Sequence, residues 1–146
     1  MTVRIATAQD KEKVLSLLDE FAAFLKAADV PSQVGRTVFD EVMKRDDIKI
    51  FVAEDEKEMV GYLMFFLLPI IRHGVHYGHI EELFVSEKSR GNGVGRALFN
   101  AAKEYCLKNK VKVIKLASGN ELTKAHEFYE RNGGKSTERF FRFDVQ

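Results

Sequence analysis

Apolar residues in this chain follow two rhythms, and the switches between them mark its elements. Val3-Arg4-Ile5 alternates as a short first strand would. Thr7 is suited to cap a helix whose first turn carries Asp10 and Glu12, acids that favour the positive end of a helix dipole. Val14, Leu17, Leu18, Phe21, Ala22 and Leu25 then form a stripe at helical spacing. A break is expected at Asp29-Val30-Pro31, and a second helix is expected through Val34, Val38, Phe39 and Val42. Residues 48–53 and 59–68 read as strands joined by the charged turn 54–58, a hairpin. The apolar run 59–71 contains Pro69 and is too short to cross a bilayer as a helix, so a strand buried on both faces is expected.

Residues 70–78 are expected to form a loop holding Arg72, His73, His76 and Tyr77, followed by a strand from His79 to Val85. From Gly93 onward, Val94, Leu98, Ala101, Ala102 and Tyr105 recur at helical spacing, which predicts about four turns. A strand over 111–117 follows, and Asn120 or Thr123 opens a short helix through Tyr129. Asn132-Gly133-Gly134 stops that helix. The segment 136–145 is expected to close the fold as a strand. Phe65, Phe66, Phe140, Phe141 and Phe143 are expected in the core, with one or two walling a pocket.

The strand-to-helix junction carries the strongest chemical signal. Arg90-Gly91-Asn92-Gly93-Val94-Gly95-Arg96 brings glycines, which let backbone N–H groups converge on a guest, to the start of a helix. That helix end adds partial positive charge, and Arg90 and Arg96 add full charges, so the guest should be an anion, most simply a phosphate. A nucleoside-triphosphate loop would need Gly-Lys-Ser/Thr, but Gly95 is followed by Arg96-Ala97. The dinucleotide fingerprint also fails, because the glycines are spaced G-x-G-x-G. What remains is Arg90-x-x-Gly93-x-Gly95, preceded by Ile80-Glu81-Glu82-Leu83-Phe84-Val85 and followed by Ala97-Leu98-Phe99 on a helix.

This constellation resembles the pyrophosphate loop of the GNAT N-acetyltransferase superfamily, whose co-substrate is acetyl-CoA. The order β-α-α-β-β-β-α-β-α-β also resembles the family over most of the chain, least so over 31–47. The resemblance implies a mixed α/β (α+β) fold. It would have a central, mostly antiparallel sheet of about six to seven strands flanked by about four helices, with residues 1–146 as a single domain. It implies that residues 90–96 hold the diphosphate and that Leu83, Phe84 and Val85 offer backbone groups to the pantetheine arm and the thioester oxygen. Asn120 resembles the asparagine that bonds the pantetheine, its plain alternative being a helix cap.

Acetylating an amine requires the amine to be neutral. A lysine-like amine is neutral only ~0.04% of the time at pH 7, and removing its proton costs about 4–5 kcal/mol. A carboxylate can serve as general base if partial burial and a neighbouring carboxylate raise its pKa. Glu81 and Glu82 are adjacent on a strand and should point to opposite faces. Resemblance to the family's polyamine acetyltransferases puts Glu81 at the base position. Glu82 then orders water or binds a cationic acceptor, and the plain alternative for either acid is a solvated or arginine-paired side chain. His79, two residues before Glu81, shares its face and can tune it. Residues 125–133 resemble the family's second signature, which makes Tyr129 the general acid for the departing thiolate; otherwise it is a packing aromatic.

Composition narrows the rest. A net charge of +1 argues against a nucleic-acid binder acting through bulk electrostatics. One cysteine, Cys106, suits a reducing compartment and reads as a small buried hydrophobe. His73, His76, His79 and His126 are spaced too irregularly for a metal site, so no metal is expected. With no signal peptide or membrane span legible, a cytoplasmic enzyme is expected, a homodimer being only the commonest assembly. The expected reaction is direct acetyl transfer from acetyl-CoA to the primary amine of a small molecule. A protein amine as acceptor, or a non-catalytic acyl-CoA-binding module, are the alternatives. Acceptor specificity is expected in 31–47 and 70–78.

Overall fold

The computed structural model describes residues 1–25 and 32–145. The expected break at Asp29-Val30-Pro31 and the side chain of Val34 lie outside what it describes. Two compact units are present, residues 1–115 and 116–146.

The first unit is built on a sheet in which β1 (Thr2–Ile5), β2 (Ile48–Asp55), β3 (Glu58–Ile70) and β4 (Val75–Val85) pair antiparallel in chain order. β5 (Ile114–Leu116) follows β4 at the edge. Sequence and structure agree on the β2–β3 hairpin. Its two-residue turn puts Glu56 and Lys57 at φ +45° and +72°, the left-handed pair that matches strand twist. Five strands are found among the described residues, against the expected six to seven.

Two expectations about strands fail. The loop expected over 70–78 is mostly strand, because β3 runs on through Pro69 to Ile70 and returns from Val75 after a single turn of 3-10 helix at Ile71–His73. The closing strand expected over 136–145 is not formed, and Phe140, Phe141 and Phe143 are 77%, 71% and 83% exposed. Alternating aromatics fit a strand only where a neighbouring strand offers a ladder, and none pairs with these residues. Phe65 is fully buried and Phe66 half-buried, as expected.

Each sheet face packs on helices. α1 (Lys11–Leu25) and α2 (Ser32–Val42) cover one face, where Val14, Leu17, Phe39 and Val42 meet Ile48, Ile50, Val52, Tyr62 and Phe84. α3 (Val94–Lys108) covers the other. The close approach there is set by Gly61, where a Cβ would lie 2.9 Å from Phe84 O and 3.2 Å from both Val94 and Leu98. Tyr105 packs edge-on against Phe51 and Phe65, and Cys106 is buried beneath Gly78, as a small hydrophobe should be.

Thr7 begins the turn that leads into α1. Asp10 is buried, accepts the Thr7 N–H at 2.7 Å, and accepts both terminal nitrogens of Arg4 at 2.8 Å. Arg4 also donates Nε to Glu54 at 3.1 Å, so one cluster ties β1, β2 and the start of α1.

In the second unit α4 (Thr123–Arg131) ends as expected, with Gly133 at φ +88° and the Gly134 N–H donating to Tyr129 O. It opens at Thr123, one of the two expected starts. Leu122 is the N-cap, and Asn120 lies in the preceding turn.

Candidate active site

β4 contains an irregularity where the chemistry was expected. Met64 pairs with Glu82 and Phe65 with Ile80, so Glu81 is an extra residue with no partner on β3. A bulge of this kind re-aims side chains and upsets strict alternation. The expectation that Glu81 and Glu82 point to opposite faces is therefore corrected. Pairing is regular on either side, which places His79, Glu82 and Phe84 on the α1–α2 face with their partners Phe66, Met64 and Tyr62.

The two acids differ in setting. Glu81 is exposed, with Oε2 3.0 Å from Nε2 of His79. Glu82 is half-buried and accepts a 2.9 Å hydrogen bond from the hydroxyl of fully buried Tyr62. Burial pushes the Glu82 carboxyl above its ordinary pKa, the Tyr62 hydrogen bond pulls it back, and the nearby Glu81 charge pushes it up further. The Tyr62 phenol is in turn pushed well up by burial and by the Glu82 charge, so it stays a donor.

Beyond the bulge, β4 runs out beside β3, and among the described residues no strand pairs with its outer edge there. Gly78 N–H donates to Val113 O, adjoining the three-residue β5, which therefore reaches no further than the level of Glu81. Residues 83–85 consequently offer edge N–H and C=O groups to an extended guest, except Val85 O, which already accepts from Arg90. The turn that follows is bent by two left-handed glycines, Gly91 at φ +83° and Gly93 at φ +80°, and Gly93 caps α3. A Cβ at either position would meet nothing within 4 Å, so the space over the loop is open and glycine is required by conformation alone.

Val94, Gly95 and Arg96 form the first helical turn, whose N–H groups lack partners within the helix. Asn92 is exposed on the loop and Arg96 on the helix. The Arg90 Nε donates to Val85 O at 3.0 Å and its guanidinium lies over Phe24, 4.6 Å from the ring centre. That bond uses one of five N–H donors. Glu20, Ala23, Phe24, Phe84, Glu87 and Arg90 line a pocket of about 330 Å³ beside it. Left-handed glycines, a free helix end and a cation with donors to spare fit a diphosphate.

Tyr129, the expected general acid, lies on α4 in the second unit, half-buried and edge-on to Phe128. Burial raises its phenol above the ordinary value, which keeps it protonated at neutral pH. Asn120 is exposed in the turn before the same helix. Cys106 is not a nucleophile, because burial pushes its thiol up to about 11. Among the described residues no group of three His, Cys, Asp or Glu side chains could hold a metal, and no helix is long and apolar enough to cross a membrane. Tyr62 and Phe24 were missed in the sequence, where each reads as one more apolar position in its strand or helix.

The acetyltransferase (GNAT) family model matches residues 14–134, across the boundary between the two units, and the chain belongs to that family. It is 33% identical over 141 residues to an uncharacterized N-acetyltransferase of Methanocaldococcus jannaschii, covering 94% of this chain and 62% of that protein. It therefore spans less than two thirds of that relative's length. It is 27% identical to the aminoalkylphosphonate N-acetyltransferase of Salmonella typhimurium, over 97% of this chain and 88% of that one. The fold matches that of AAC(6')-Iy solved with a CoA bisubstrate analogue (TM-score 0.86, 16% identity, 99% and 97% covered).

Proposed function

We propose that residues 1–146 act as one N-acetyltransferase domain, moving an acetyl group from acetyl-CoA directly to the primary amine of a small molecule. The observation that carries this reading is the order along β4. A carboxylate with raised proton affinity is followed by a strand end that outruns the short β5, then by a glycine turn suited to a diphosphate.

Acetyl-CoA supplies the activated acetyl thioester when bound. Residues 90–96, with both arginines, would hold its diphosphate, and the edge at 83–85 would pair with its pantetheine arm. A backbone N–H of that edge would face the thioester oxygen and stabilise charge developing there. Asn120 would bond the same arm. The amine must lose a proton before it attacks, and partial burial plus a neighbouring acid is what fits a carboxylate to take it. Glu82 meets both conditions, whereas Glu81 is exposed, so the geometry favours Glu82 as base and Glu81 as the neighbour that raises its affinity. Tyr129 would hold the proton for the leaving thiolate.

A small acceptor is favoured by the Salmonella relative, whose name gives an aminoalkylphosphonate as its substrate. A cytoplasmic setting belongs to the same proposal. The deciding experiment follows release of free CoA from acetyl-CoA in the presence of a panel of amines, aminoalkylphosphonates and lysine peptides. Turnover with small amines, lost in Glu82→Gln, supports the reading. Turnover with peptides alone moves it to a protein acceptor. Cofactor binding without any turnover reduces the chain to a binding module.

A further inference from the structure

We propose that Tyr62 is a positioning residue for the proton-accepting carboxylate: its buried hydroxyl clamps one oxygen of Glu82 at the β4 bulge and leaves the other to meet the amine. The inference rests on the reading of Glu82 as base.

Tyr62 is 1% exposed, opposes Phe84 in the β3–β4 register, and its ring centre lies 6.4 Å from that of Phe84. Glu82 lies two residues before Phe84 on β4, so Tyr62 reaches it along the diagonal of the ladder. Packing on all sides fixes the ring and hence the hydroxyl, whose 2.9 Å bond goes to Oε2 alone.

The bond has a chemical reason. Glu82 pairs with Met64 directly beside the bulge, and a carboxylate on a flexible two-carbon stem would otherwise sample several rotamers. Burial alone would also favour the protonated form, and a protonated carboxyl cannot act as base. A neutral donor that stabilises the charged form holds the side chain in place and keeps the ionised form accessible. Among the described residues the groups around it are few. Tyr62 faces it from β3, and Glu81 and His79 lie beside it on β4. Glu20 on α1 is bonded to Ser86, while β2 and α2 bring apolar Ile48, Ile50, Val52, Phe39 and Val42 to this face.

The test is a carbon-13 NMR titration of the Glu82 side-chain carboxyl, assigned with Glu82→Gln and needing no acceptor. In Tyr62→Phe the midpoint should rise by about one pH unit, since a donor to the charged form is lost. Site-specific 3-fluorotyrosine at position 62 makes the phenol a stronger donor and should move the midpoint the other way, which covers the case in which Tyr62→Phe fails to fold. A midpoint unmoved in both proteins overturns the inference. In acetyl transfer to an amine found active, the acid limb of kcat/KM should follow the midpoint upward in Tyr62→Phe. A moved midpoint with an unmoved limb leaves the clamp standing and overturns Glu82 as base.

Discussion

Asp10 and Glu82 are both withdrawn from water, and their proton affinities shift in opposite directions. Asp10, at the start of α1, is 5% exposed yet held well below the ordinary carboxylate range, because two Arg4 nitrogens and the Thr7 N–H and hydroxyl all donate to it. Glu82 is raised, because burial penalises its charge and Glu81 repels it, while only a single neutral phenol donates against that shift. Burial pushes both acids up; the number and charge of the donors aimed at each decide where it ends. The acid given many donors is a staple. The acid given one is the proposed base.

Exchanging each acid for its amide sharpens that contrast. Glu82→Gln should lower kcat/KM by roughly 10²–10⁴, the usual worth of a general base, without lowering the melting temperature. The raised carboxyl works against folding as pH climbs from about 4.3 toward its folded value, and the amide removes that cost. An unchanged rate would break the comparison at its reactive end.

Asp10→Asn should do the reverse, costing about 2 kcal/mol and lowering the melting temperature by about 4–8 °C at neutral pH while leaving the rate intact. Its depressed carboxyl contributes fully above the unfolded value of about 3.9, and that stability is lost as pH falls below it. The two melting curves should therefore converge in acid.

Gly93→Ala should cost about 1 kcal/mol, since it forces a left-handed backbone on a residue with a Cβ, and should weaken CoA affinity in calorimetry. The smallest effect is expected from Glu81→Gln. Only a repelling neighbour is lost, so Glu82 should titrate lower by a few tenths of a pH unit and the rate should change by less than about tenfold. A larger loss in Glu81→Gln than in Glu82→Gln would exchange their roles.

How legible each part was follows from how local its cause is. The glycine turn could be read directly, because Gly91 and Gly93 need a conformation that few other residues adopt and the need shows in the letters themselves. The stop at Gly133 is equally local. The bulge at Glu81 is not: it exists only against β3, and strict alternation along β4 gave the wrong face. Tyr62 sits twenty residues from Glu82, so their hydrogen bond leaves no mark in either neighbourhood. Residues 136–145 misled for the opposite reason, since their aromatic alternation is real but no neighbouring strand answers it. The helix at 94–108 was placed within a residue of its start because apolar spacing and glycine agreed.

Cys106 has a practical corollary. It is the sole sulfhydryl in the chain, roofed by Gly78, and with its proton held to about 11 it is almost wholly un-ionised at pH 8. Chromogenic disulfides that report liberated coenzyme should therefore find no competing target in the folded enzyme. The colour they develop can be taken as product, and a slow background rise would betray unfolded chains.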